Sequence, residues 1–247
     1  MSAVKIIVLG AGDAFGSGGR RQSSYLVRSA KQTFLMDAGA SVLPALKDAG
    51  VRSDLVDFVL VSHLHGDHFA GLVFMLMEYQ YEQRRDRELV VAGPAGTEER
   101  VRELFRAMYR ESSQEQLRFP LRFVALEPGQ RITFGEASVE PFGVPHQKSE
   151  PSFGFRVEVD GRVVVYSGDS GWTEEFVEQT RDADLFLCEC CFYDTRVDFH
   201  VNYPEFERNR DRIRARRVVL THLGREVLSK LDQVHAETAY DGMVIDL

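Results

Sequence analysis

Cysteine is scarce in this chain: 247 residues contain three, at Cys188, Cys190 and Cys191. An odd number packed into four consecutive positions excludes a disulfide framework. No second cysteine pair is there to complete a tetrahedral thiolate site, so the three read as small apolar residues buried on a strand. Long hydrophobic runs are also missing, and no stretch approaches the roughly 20 apolar residues of a membrane-spanning helix. Residues 1–10 hold one lysine and a short apolar run, without the charged, apolar and cleavage-site order of a secretory signal. A soluble, cytoplasmic protein that does not engage membranes is expected. Positive charge is in the minority, with 30 Lys and Arg against 38 Asp and Glu and a formal net charge of -8. That balance weighs against general coating of long nucleic acid. A local basic pocket stays open, with Arg20 and Arg21 as its candidates, whereas the basic run 208–217 reads as a solvated helix face.

Repeats, low-complexity segments and linkers are absent too. What is there alternates between short β-branched runs and helical stretches. Strands are expected over 4–9, 24–28, 32–36, 58–61, 89–92, 185–188 and 218–220, with a strand-rich region over 121–167. Helices are expected over 42–49, 69–87, 97–109, 173–180 and 204–215, with Thr97 as an N-cap ahead of Glu98 and Glu99. Residues 243–247 are expected to close a sheet. The interleaving predicts one mixed α/β domain over 1–247, two sheets face to face with helices outside. The aromatic- and methionine-rich stretch over 69–87 favours core packing, with a pocket or a homodimer interface as the alternative.

The first strand runs into Gly10-Ala11-Gly12, which invites a dinucleotide-binding reading. That fingerprint needs a small residue three positions after the second glycine, and Phe15 stands there. Residues 10–19 read instead as a loop near the active site.

The chemistry concentrates in Val61-Ser62-His63-Leu64-His65-Gly66-Asp67-His68, four candidate ligands within six residues directly after a buried strand. Imidazole and carboxylate together suit zinc, and also manganese or iron. His63 and His65 point the same way in extended backbone, Gly66 is expected to allow a sharp turn, and Asp67 and His68 can then face a second ion. Six residues cannot close two sites. His146, Asp169 and His222 each follow a predicted strand and supply further donors, Asp169 being the carboxylate suited to bridge.

These motifs resemble the metallo-β-lactamase superfamily, nearly from end to end. His63, His65, Asp67 and His68 match its signature motif, and His146, Asp169 and His222 match its third, fourth and fifth. The resemblance implies the four-layer αββα sandwich and a dinuclear, zinc-type site. His63, His65 and His146 would hold one metal, Asp67, His68 and His222 the other, and Asp169 would bridge. Asp37, in Phe34-Leu35-Met36-Asp37-Ala38-Gly39, matches the first motif and is implied to orient a ligand. Aspartate at 169, where some branches carry cysteine, separates the chain from thiolate-bearing antibiotic hydrolases.

Within the superfamily, Glu189 at a strand end and His200 shortly after it resemble the ribonuclease Z and phosphodiesterase branch. The implied catalytic residues are Asp67, His200 and Glu189, with His200 as proton donor to the leaving oxygen and Glu189 steadying it. Asn202 departs from the serine or threonine usual there. The segment 18–24 resembles the branch's loop before its second strand, where Arg20 or Arg21 would meet a phosphate oxygen. The chain is shorter than expected for tRNA-processing enzymes and shows no long glycine- and proline-rich arm, so small phosphodiesters such as cyclic nucleotides are favoured over RNA ends. The alternatives are a lactone, thioester or lactam hydrolase and, in another class, a metal-bound redox or sensing protein.

Overall fold

The computed structural model describes residues 4–247. The first half of the chain builds β1 (Lys5–Gly10), β2 (Ser24–Arg28), β3 (Thr33–Met36), β4 (Phe58–Leu60), β5 (Leu89–Gly93) and β6 (Leu121–Ala125). The second half builds β7 (Ile132–Phe134), β8 (Ala137–Gly143), β9 (Phe153–Val159), β10 (Arg162–Tyr166), β11 (Leu185–Glu189), β12 (Val218–Thr221) and β13 (Glu237–Thr238). Then β14 (Val244–Asp246) returns to pair antiparallel with β1, as expected for the last residues. Among the described residues this gives two seven-stranded sheets, ordered β14-β1-β2-β3-β4-β5-β6 and β13-β12-β11-β10-β9-β8-β7.

Alternation along the strands sorts side chains into three cores. From β1, Ile6 and Val8 point between the sheets, where they join Phe34, Phe58, Val157, Val164 and Leu187. Their neighbours Ile7 and Leu9 point outward, with Leu35 and Val59, onto α1 (Val42–Asp48), α2 (Gly66–Phe69), α3 (Gly71–Met77) and α4 (Thr97–Met108). On the second sheet Val165, Phe186, Cys188 and Leu220 face outward onto α5 (Glu175–Gln179), α6 (Tyr203–Asn209) and α7 (Arg225–Leu228). Both sheets are thus covered on both faces, which is why their central strands read as continuous apolar runs. The architecture is the αββα sandwich.

Strand direction positions the site. β3, β4 and β5 run parallel, as do β10, β11 and β12. β8 and β10 are both antiparallel to β9, so they share a direction. The ends of β3, β4, β8, β10, β11 and β12 therefore bring Asp37, His63, His146, Asp169, Glu189 and His222 to one edge, Glu189 as the last residue of β11 and the others in the loops that follow. The glycine loop after β1 reaches the same edge, where Gly12 pairs with Leu223 and Leu223 N donates to Ala11 O (3.0 Å).

Three local expectations are corrected. The helix expected over 69–87 begins earlier, at Gly66, and ends earlier, passing through Ala70 into α3 and then a wide π-turn over Glu78–Glu82. Arg84, at φ 47°, stops it. Met75 and Tyr79 on this stretch are core residues, whereas Tyr81 is exposed. Thr97 is not the cap: Gly96 occupies that position, and the Thr97 hydroxyl donates back to Pro94 O at 2.6 Å. The helix expected over 204–215 ends at Asn209 in a short 3-10 turn, Arg210–Arg212.

The link between α3 and the loop after β3 is tight. Ala38 N donates to His68 O (2.7 Å) and Gly71 N to Ala38 O (2.9 Å). A Cβ on Gly71 would stand 2.1 Å from Gly39 O, a backbone atom that cannot swing aside. Gly71→Ala is therefore expected to cost about 1–3 kcal/mol or more. In thermal unfolding that lowers the midpoint by roughly 2–4 °C per kcal/mol for a chain of this size; an unchanged midpoint would refute the close packing.

Candidate metal centre

Ser62 leads β4 out of the sheet, and His65 is still extended (φ -80°, ψ 145°) when α2 begins. Extension brings His63 and His65 together, their ring centroids 4.7 Å apart. The first turn of α2 then presents Asp67 and His68. Gly66 does not make a sharp turn, contrary to expectation: its φ is not left-handed, and a Cβ there would meet no atom within 4 Å. The change of direction comes from the strand-to-helix switch itself.

Seven side chains converge in two groups. Donor atoms of His63, His65 and His146 lie within 4.8 Å of one another, and so do those of Asp67, His68, Asp169 and His222. In the second group His68 Nε2 is 3.3 Å from Asp67 Oδ2 and 3.3 Å from Asp169 Oδ1, and His222 Nε2 is 3.4 Å from Asp67 Oδ2 and 3.3 Å from Asp169 Oδ2. Donors 2.0–2.1 Å from a tetrahedral zinc ion stand about 3.3–3.4 Å apart, so the spacing fits. Asp169 also reaches the first group, with Oδ2 3.9 Å from both His63 Nε2 and His146 Nε2. Among the described residues His63 Nε2, His68 Nε2 and Asp169 Oδ1 are buried without a hydrogen-bond partner. Unpaired polar atoms are costly in a folded interior, and cations held in the two groups would satisfy all three.

The outer nitrogens are held by the protein. Asp37, fully buried with φ 60°, accepts from His68 Nδ1 (2.7 Å), Ser62 N (2.7 Å), Ser62 Oγ (2.8 Å) and Tyr166 OH (2.7 Å). His63 Nδ1 faces Ser62 Oγ at 3.0 Å, and His146 Nδ1 donates to Phe199 O at 2.9 Å. This fixes which ring nitrogen faces inward. The implied orienting role of Asp37 thus has its geometry; Ser62 and Tyr166 are partners that the motif did not single out. His222 also adopts a left-handed backbone, φ 53°, the kind of local strain that concentrates at functional sites.

Charge follows the same layout. Burial opposes a proton on His68, but the carboxylates of Asp169, Asp67 and Asp37 outweigh it and lift its pKa well above the ordinary value. Burial likewise opposes the charge on Asp67, yet His68 and His222 hold its carboxyl far below the usual range. At His146 burial outweighs the pull of Asp169 and pushes the pKa down to about 4, which favours the neutral ring that a metal ligand needs.

Glu189 closes β11 fully buried. Its Oε1 accepts from His200 Nδ1 (2.7 Å) and Ser170 N (2.9 Å), and its Oε2 from Cys191 N (3.0 Å). A ring nitrogen of His200 lies within 4.8 Å of donor atoms on His146 and Asp169. Asn202 plays a structural part, since its Oδ1 accepts from Glu205 N (3.1 Å) and caps α6, which serine or threonine would do equally well. Arg20 and Arg21 do not face the donors. Arg20 Nη1 donates to Ala239 O, and Arg21 pairs with Asp48 on α1. Cys188 and Cys190 are buried in the outer core as expected, but Cys191 places its sulfur among the donor atoms of His200 and His222. Burial lifts that thiol to about 11.

Fold and donor set together define the class of metallo-hydrolases built on the metallo-β-lactamase fold. The family model described as Anti-Pycsar protein Apyc1 matches residues 4–239, and the chain belongs to that family. It is similar to the probable metallo-hydrolase YhfI of Bacillus subtilis, 26% identical over 247 residues that cover 98% of this chain and 96% of YhfI. The crystal structure of YhfI superposes with a TM-score of 0.81 at 24% identity, over the whole of both chains. A ribonuclease Z of Mycolicibacterium gilvum is 31% identical over 176 residues, 68% of this chain; the match spans 62% of that relative's length. The short form of human tRNase Z shares the fold, with a TM-score of 0.78 at 24% identity over 98% of each chain.

Asp37→Ala strands Ser62 N, Ser62 Oγ and Tyr166 OH and leaves His68 Nδ1 without its carboxylate partner. A loss of about 3–5 kcal/mol is expected in urea unfolding of metal-stripped protein. A loss under about 0.5 kcal/mol, the size of an ordinary surface substitution, would show that the carboxylate is not the anchor.

Proposed function

We propose that the protein is a dinuclear metal-dependent phosphodiesterase acting on small phosphodiesters, cyclic nucleotides among them. The observation that carries the reading is the His200–Glu189 pair beside Asp169 and His146. A phosphodiester leaves as an alkoxide and needs a proton as its bond to phosphorus breaks. A thioester leaves as a thiolate and has no such need.

His63, His65 and His146 would hold one divalent cation, Asp67, His68 and His222 the other, with Asp169 between them. Zinc, or alternatively manganese or iron, supplies there an acidified water and positive charge for the phosphate oxygens. The remaining work belongs to the chain. Asp67, kept ionised by His68 and His222, orients the water. Glu189 commits His200 Nδ1 to a hydrogen bond, which leaves Nε2 to hand its proton to the departing oxygen. Burial lowers the His200 pKa, but Glu189, with Asp169 beyond it, offsets this and raises it above the ordinary value. The pair therefore favours the protonated form of the donor.

Metal-stripped protein is expected to leave bis(p-nitrophenyl) phosphate intact, and zinc or manganese to restore turnover. His63→Ala should lose bound metal, read by elemental analysis, together with activity; full retention of both overturns the assignment. His200→Ala should lower kcat by about 10²–10⁴ with metal content unchanged. An acid must be protonated to act, so kcat falls as pH rises through the raised His200 pKa. Glu189→Gln removes the main cause of that rise, and the alkaline limb should move to lower pH. An unmoved limb would exclude His200 as the proton donor.

A further inference from the structure

Between β11 and α6 the chain leaves the sheet and returns as a closed loop. Its ends meet where Phe192 bridges to Asn202 and Tyr203 N donates to Phe192 O at 2.9 Å. Such a loop has no ladder of its own and is held by what it rests on. The returning limb carries Phe199 and His200 and is tied to the donor side. Phe199 O accepts from His146 Nδ1, Val197 bridges to His200, and a Cβ on Gly171 would stand 2.0 Å from Asp198 O. This limb also walls the cavity beside the donors, where the ring of Phe199 is exposed.

The outgoing limb rests on α7, chiefly through one side chain. Glu226 Oε2 accepts from the backbone N–H groups of Tyr193 (3.0 Å), Asp194 (2.8 Å) and Thr195 (3.0 Å), and its Oε1 accepts from the Thr195 hydroxyl. Successive N–H groups turned to one point form a nest for an anion, and here the anion is a carboxylate from a distant part of the chain. The Thr195 hydroxyl and the three N–H groups hold that carboxyl down at about 2, so it is ionised. Lys230, just past α7, pairs with Asp194 at the surface, where an ion pair contributes little. The support itself is fixed. Helix α7 starts at Arg225, close behind His222, and Gly224 N donates to Cys191 O at 3.1 Å. A Cβ on Gly224 would stand 2.2 Å from that oxygen. Glu226 therefore stands on a base joined both to the loop of His222 and to the end of β11, where Glu189 sits.

We propose that Glu226 is a positioning residue for the hydrolysis: by gripping residues 193–195 it sets where His200 stands relative to the donor cluster. The proposal rests on the proton-donor role read for His200 above. None of the Glu226 bonds reaches His200 or a metal donor, so the effect passes through the loop alone. A general acid acts only within hydrogen-bond reach of the departing atom. A displacement of about 1 Å, caused from far away, can cost about 10²-fold in rate. Without Glu226 the returning limb keeps its ties to His146 and Gly171, but the outgoing limb has lost its acceptor and His200 is held from one side only.

The test uses two substrates on zinc-loaded protein. A nucleoside 3′,5′-cyclic monophosphate expels an alkoxide and needs the proton, whereas bis(p-nitrophenyl) phosphate expels a nitrophenolate and does not. Glu226→Ala should lower kcat on the cyclic monophosphate by about 10–100-fold, with KM and metal content unchanged, and spare bis(p-nitrophenyl) phosphate. Glu226→Gln keeps one oxygen acceptor and should recover part of the loss; it carries the test if the alanine variant does not fold. In a His200→Ala background the same substitutions should cost little further, because both act through one group. Equal losses on the two substrates, the same loss with and without His200, or no loss at all overturn the proposal. Wild type that leaves both substrates intact counts against the phosphodiesterase reading instead, and amide hydrogen exchange then decides. Faster exchange in the Glu226 variant that spreads from residues 193–195 to Phe199 and His200 upholds the positioning role, and exchange confined to 193–195 overturns it.

Discussion

A buried carboxylate must be paired, and Asp37 meets that demand with donors drawn from both sheets. Ser62 follows β4 of the first sheet, Tyr166 ends β10 of the second, and His68 comes from α2. One side chain thus locks two sheets and a helix into a single register. Its backbone is left-handed, a conformation aspartate tolerates better than most residues. The arrangement is rigid because each donor is buried as well, and moving any one of them would strand another polar group.

Rigidity matters because the donor cluster is under electrostatic tension. Two carboxylates and five imidazoles crowd one edge of the sandwich, and several inward-facing atoms have no hydrogen-bond partner among the described residues. Packing alone would not tolerate that. The outer nitrogens of His63, His68 and His146 are instead tied to Ser62, Asp37 and Phe199 O, so the rings cannot turn to satisfy their inner atoms. The protein holds open lone pairs at the spacing a divalent cation requires, which is the structural signature of preorganisation.

Around this cluster the loops differ in role by strand of origin. Those after β4, β8, β10 and β12 carry donors, and the longer passage from β11 to α6 carries Glu189, Phe199 and His200. That passage is also tied to the donors, since the Phe199 carbonyl fixes the His146 ring. The Glu189–His200 pair and the exposed ring of Phe199 therefore share one pinned segment, and Asn202 ends it by starting α6.

Much of this could be read from residue order. Histidine and aspartate at 63, 65, 67 and 68 are local in sequence, and a strand followed by a helix start brings them together whatever the rest of the chain does. The alternating apolar runs equally determined two covered sheets, because a strand buried on both faces has few other solutions. What residue order left open is what depends on contacts across the fold. The helix after the motif ends before its apolar pattern does, at a π-turn over Glu78–Glu82 and the left-handed Arg84. Gly66 signals a turn in the sequence, but the strand-to-helix switch makes it unaided. Arg20 and Arg21 looked available for an anion, yet a distant carbonyl and Asp48 on α1 occupy them. The Asp37 network, the orphaned inward atoms and the exposed ring of Phe199 beside His200 join residues far apart in the chain. The sequence by itself determined the donor types and the layered fold, since both follow from local pattern; only the tertiary structure decided which lone pairs stay unpaired and which cavity adjoins them, because those are properties of convergence between strand ends.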